Sequence, residues 1–156
     1  MAEVARYGIM AEKVALSKEF DVIHAHDWLS IPAGITAKKV TGKPLIVHIH
    51  ATQFDHGAGL GVDPRIMAIE KEGMHYADKV VAVSEFVRQT IINRYGIAPE
   101  KVEVVHNGIN FADFKHKGGE QPSLQRLKDS GYKIVLSLGR MTAMKGLTHF
   151  MKSAAR

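Results

Sequence analysis

Two histidine pairs, His24-x-His26 and His48-x-His50, close two short runs, Asp21 to His26 and Leu45 to His50, that carry Val22, Ile23, Ile46, Val47 and Ile49. On a strand, alternate residues share a face, so each pair projects both imidazoles to one side. Two chemistries follow. Four imidazoles on neighbouring strands could hold a metal ion. Alternatively, a histidine inside the run, such as His24, is buried on backbone hydrogen bonds, and only His26 and His50 at the strand ends face a cleft. No carboxylate stands at a metal-motif spacing such as HExxH. We therefore expect hydrogen-bonding groups and no metal. Asp27-Trp28 follows His26 directly. The carboxylate either joins that cleft or caps a helix beginning near Trp28.

A second constellation is Gly139-Arg140-x-x-x-x-Lys145-Gly146, placed after an apolar run and before a helical one. Glycine permits close approach, Arg offers a fork for phosphate oxygens, and Lys adds a point charge. A helix N-terminus supplies backbone donors. Together these suit a diphosphate that gains charge as it leaves. In isolation, a solvated Arg and Lys explain the pattern nearly as well. The Gly57-x-Gly59-x-Gly61 stretch is not GxGxxG, so it is a surface loop or a loop gating a substrate.

Positioning these groups requires strands whose ends meet. Residues 2–18 have helical spacing; strands are expected at 21–26, 45–50, 79–83 and 101–105, and helices at 29–40, from Asp63-Pro64 to about Ala77, and from Ser84 to Gly96. Strand–helix alternation with near-continuous apolar strands predicts a parallel sheet covered on both faces. In such sheets ligands bind at the carboxyl ends of the strands. That rule selects His26-Asp27-Trp28, His50 to Asp55, Ser84-Glu85, His106-Asn107-Gly108 and Gly139-Arg140. Residues 113–131 are polar and are expected to form a linker with one short helix near 123–129. Tyr132 to Gly139 is expected to be a fresh buried strand, and a helix should follow from Gly146.

The order His26-Asp27-Trp28, Ser84-Glu85-Phe86, His106-Asn107-Gly108-Ile109-Asn110, then Gly139-Arg140 with Lys145-Gly146, resembles glycosyltransferase family 4. The H-D-W triplet is similar to that of its glycogen and starch synthase branch. The resemblance covers nearly the whole chain. It implies the GT-B architecture: two Rossmann-like domains across a cleft, here a partial acceptor-side domain at 1–112, a linker at 113–131 and the start of a donor-binding domain at 132–156. It implies retaining transfer of a hexose, glucose foremost, from a nucleotide-sugar donor to a glucan or other glycan acceptor, with no cofactor and no obligatory metal. His26 would contact the transferred sugar, with Asp27, Trp28, His50 and Asp55 on the acceptor or sugar side. Gly139, Arg140 and Lys145 would bind the donor's diphosphate. The family's first strand with its glycine-rich loop is missing, and no glutamate here has another eight positions on. The expectation is therefore a segment lacking both ends and inactive alone. A sugar-nucleotide epimerase of the same architecture is disfavoured by H-D-W.

Composition bounds the alternatives. The 156 residues are 46% hydrophobic, 24% charged and +5 in formal charge, with no cysteine. This excludes thiolate metal sites and cysteine nucleophiles. The cations are scattered and aromatics make up only 7%, so no nucleic-acid partner is expected. No run reaches the ~18 apolar residues of a membrane span, and the cytoplasm is the expected compartment. The competing reading is a non-catalytic α/β module that associates with a partner, or with itself, through apolar surface left bare where a second domain would dock.

Overall fold

The computed structural model describes residues 2–56, 61–114, 121–142 and 145–155. Residues 57–60 of the glycine-rich stretch and Lys115 to Lys117 lie outside the described residues. The chain forms two compact units, Met1–Asn107 and Gly108–Arg156.

The first unit runs α1 (Ala2–Ser17), β1 (Ile23–His26), α2 (Asp27–Thr41), β2 (Leu45–Ile49), α3 (Gln53–His56), α4 (Pro64–Tyr76), β3 (Lys79–Ala82), α5 (Glu85–Thr90) and β4 (Val102–Val104). The strands make one parallel sheet in the order β1-β2-β3-β4. The helices end where local chemistry stops them. Gly42 closes α2 at φ 69°, which a Cβ would disfavour. Asp63 caps α4, its side chain accepting from the Arg65 N–H at 2.9 Å; the Arg65 guanidinium bonds first, then that N–H, hold its carboxyl down at about 2. Ser84 caps α5 by accepting from the Val87 N–H at 3.2 Å. A π-helical turn, Ile91–Tyr95, continues α5 to Gly96.

The register puts Ala25 beside Val47, Val47 beside Val80 and Val80 beside Val102 on one face. These residues share one buried core with Ile31, Ile35, Met74, Val87 and Ile91 from the helices. Each fully buried Ile, Leu or Val contributes roughly 1.5–3 kcal/mol relative to exposure. Helix α2 lies close on the sheet at Gly34, where an added Cβ would stand 2.9 Å from Leu45 Cδ1 and 3.0 Å from Ala25 Cβ. Asp78 fastens the lower ends of these layers: its Oδ2 accepts from Lys38 Nζ at 2.7 Å and from the Leu45 N–H at 2.6 Å.

The other face carries His24, His26, Ile46, His48, Lys79, Val81 and Glu103. His24, His26, Lys79 and Glu103 are exposed there, so the helical cover expected on this face does not extend over them.

In the second unit, α6 (Pro122–Asp129) and α7 (Leu147–Ala154) form where helices were expected. The strand expected at 132–139 does not form. Leu136 and Leu138 are 82% and 93% exposed, and among the described residues no ladder includes this stretch. A buried parallel strand exists only between neighbours, which an apolar run alone does not supply. No helix among the described residues is long and apolar enough to cross a membrane.

Candidate functional site

The carboxyl ends of the four strands bring His26, His50, Ser84 and His106 to one edge of the sheet. His26 and His50 meet directly, Nδ1 to Nε2 at 3.0 Å. Asp27 does not cap α2, which begins on it. Instead its Oδ1 accepts the His50 N–H at 2.8 Å, tying the ends of β1 and β2. Asp27 holds this position at φ 55°, the left-handed region that non-glycine residues seldom occupy. Such strain concentrates at functional sites. Ser30 secures the turn, its hydroxyl donating to the His26 carbonyl at 2.6 Å. Trp28 is half-buried beside it.

Asp55 stays at this end of the sheet, but its carboxylate is engaged locally: Oδ2 accepts from both the N–H and the hydroxyl of buried Thr52, at 2.7 and 2.9 Å. These bonds fold the turn after β2. Glu85 accepts from Gln89 and Arg88 on its own helix, and these bonds, that of Gln89 first, lower its pKa. His106 Nδ1 lies 3.1 Å from the Val83 carbonyl.

His24 and His48 differ from the expectation of histidines held on backbone hydrogen bonds. His24 is exposed, and the two ring nitrogens of His48 are buried without a hydrogen-bond partner. The rings of His24, His26, His48 and His50 pack with centroids 4.3–5.3 Å apart. Burial first, then neighbouring imidazoles, keeps His24 and His48 below the usual imidazole pKa, with Asp27 pulling His48 the other way.

In the second unit, Gly139, Arg140 and Lys145 are exposed. The Thr142 N–H donates to the Arg140 carbonyl at 2.9 Å, and the Lys145 N–H donates to the Thr142 carbonyl at 3.0 Å. A Cβ at Gly139 would lie 3.9 Å from Lys145 Cγ, so the glycine and the lysine expected to serve one anion are neighbours. Gly146, at φ 62°, leads into α7. Among the described residues neither Arg140 nor Lys145 forms an ion pair.

A cavity of about 420 Å³ lies between α1, α2 and the outer edge of β1. Tyr7, Met10, Val14, Phe20 and Val22 make most of its wall apolar, with His24 and Ser30 as its polar members.

The sequence model of Glycosyltransferase Family 4 matches residues 4–113. The chain belongs to glycosyltransferase family 4. Among its relatives, a D-inositol 3-phosphate glycosyltransferase of Streptosporangium roseum is 33% identical over 88% of this chain and 33% of its own length. An alpha-maltose-1-phosphate synthase of Mycolicibacterium smegmatis is 30% identical over 86% of this chain and 37% of its own. A crystal structure of a glycosyltransferase from Rickettsia africae ESF-5 shares the fold, with a TM-score of 0.53 at 17% identity over 89% of this chain and 36% of that one. The chain thus spans about a third of the length of the relatives it matches.

This family 4 chain also holds a buried network that the motifs did not reveal. Glu70 on α4 accepts from the Tyr95 hydroxyl and from the Gln53 N–H, joining α4, the π-helical turn and the loop after β2. Burial, then the Glu70 bond, pushes the Tyr95 phenol well above its usual pKa. A signal did exist: Met67, Glu70 and Met74 share one helical stripe, where a carboxylate is out of place unless it is paired.

Proposed function

We propose that the chain is the segment of a retaining, cytoplasmic glycosyltransferase that moves a hexose, glucose foremost, from a nucleotide sugar to a glycan acceptor. The observation that carries this is the His26–Asp27–His50 constellation: two imidazoles in contact at the carboxyl ends of β1 and β2, held by a carboxylate on strained backbone. In this reading residues 1–112 belong to the acceptor side and residues 132–156 begin the donor side, with a linker between them. His26 hydrogen-bonds the transferred sugar, and Asp27 and His50 orient it. Gly139 lets the diphosphate approach, while Arg140 and Lys145 offset its charge as the bond to the sugar breaks. These side chains supply the charge that a metal would otherwise bring, so transfer needs no ion.

The relatives described above are named for an inositol 3-phosphate and a maltose 1-phosphate, so the acceptor panel should hold a phosphorylated polyol and a phosphorylated sugar beside a glucan. The test is turnover of ADP-, UDP- and GDP-glucose with that panel, in a protein extended to the relatives' length. His26→Ala should lower kcat ~10²-fold while leaving the acceptor KM within a few-fold. An unchanged kcat would overturn the reading.

A further inference from the structure

Three imidazoles from two adjacent strands converge on the open face of the sheet. His24 and His26 stand two residues apart on β1, and His48 lies opposite His26 on β2. Their ligand nitrogens all lie within 4.8 Å of one another. The ring nitrogens of His48 are out of contact with water and accept or donate nothing. A buried polar atom without a partner destabilises the fold. Sequence neighbours do not remove that cost, since positions 47 and 49 point into the core.

We propose that His24, His26 and His48 bind a divalent zinc-class ion on this face, with His50 as the group that orients His26. Three neutral imidazoles leaving one open position is an established donor set for Zn²⁺, and imidazole suits the late first-row metals generally. Tetrahedral bonds of 2.0–2.1 Å place ligand nitrogens about 3.3 Å apart. Rotation of exposed His24 and His26 closes that gap from the observed spacing, because neither ring is locked in a packed core. His26 uses Nδ1 toward His50 at 3.0 Å, which leaves Nε2 for the ion. Such a bond to the second ring nitrogen fixes the orientation of a ligating histidine. The ion would also satisfy one of the two stranded nitrogens of His48.

In the reading proposed above, the transfer chemistry itself calls for no metal. The ion site shares His26 with the sugar site proposed above, so an ion bound here competes with the sugar; the binding test itself does not depend on that reading.

The test is isothermal titration of Zn²⁺ into the 156-residue chain at neutral pH, with Co²⁺ absorption as a report of tetrahedral nitrogen coordination. One ion per chain is expected. His24→Ala and His48→Ala should each weaken binding at least 100-fold, and His50→Ala 10- to 100-fold. His75→Ala, on α4 with its Nδ1 toward the Lys71 carbonyl, should change nothing. Because His24 is exposed, its alanine variant removes a ligand without opening the core, so the test survives if His48→Ala fails to fold. Absence of one-to-one binding, or binding retained in His24→Ala, would overturn the proposal.

Discussion

Asp27 Oδ1 accepts the backbone N–H of His50 at 2.8 Å, across the ends of two strands 23 residues apart in sequence. The bond makes the geometry of the H-D-W triplet inseparable from that of the second histidine run. It also explains why a non-glycine residue tolerates φ 55° there.

Asp27→Ala should lose both the bond and the local tolerance of the left-handed region. A charged hydrogen bond contributes roughly 1.5–3 kcal/mol. Asp27→Asn keeps an acceptor oxygen and a side chain accustomed to that region, and should retain most of the stability. Urea unfolding of the two variants checks the ordering. Equal losses would mean that the bond does not set the turn.

Gly34→Ala should destabilise the first unit by about 1–3 kcal/mol through overpacking against Leu45 and Ala25. A thermal melt that matches the parent protein would show that α2 can move away from the sheet without cost.

Tyr95→Phe takes the phenol donor from buried Glu70. A loss of about 1–3 kcal/mol is expected. In a spectrophotometric titration of the native protein, Tyr95 should be the last of the four tyrosines to ionise, since burial and Glu70 hold its proton. Ionisation of all four together, while the protein remains folded, would contradict this.

Asp78 gives a pH dependence with a definite sign. The Lys38 bond, followed by the Leu45 N–H, lowers its folded-state pKa. A depressed carboxylate contributes stability that is present above the unfolded-state value, about 3.9, and is lost as pH falls through the folded value. The stability gap between the parent and Asp78→Asn should therefore be flat at neutral pH and close on acidification below about 4. Urea midpoints across that range measure it. Half exposure of the side chain keeps the effect small.

In the protein extended to the relatives' length, Arg140→Ala and Lys145→Ala should each lower turnover ~10²-fold with little change in acceptor binding. Unchanged turnover would remove both from the diphosphate role.

Much of the first unit was legible because its stops are local. Gly42, the Asp63-Pro64 start, Ser84 and Gly96 each act within one turn, and the helices begin or stop where those residues stand. The gathering of His26 and His50 followed from the strand-end rule. What stayed hidden depends on register. That His26 lies opposite His48, and so draws His24 and His50 into one group, is a pairing between strands that neither run encodes alone. The left-handed Asp27 and the engagement of Asp55 by Thr52 are likewise outcomes of the folded turn. Residues 132–139 show the reverse: their apolar run matches that of β2, yet a strand needs a neighbour as much as it needs a composition.

The four strands pair in the order in which they occur in the chain. Each strand added during synthesis meets a partner already laid down, so the sheet can grow at the ribosome in one direction without waiting for distant sequence. Each pairing still closes a crossover of 22 or 33 residues, a non-local parallel contact of the kind that forms slowly, so each newly made edge stands open to the wrong neighbour until its successor arrives.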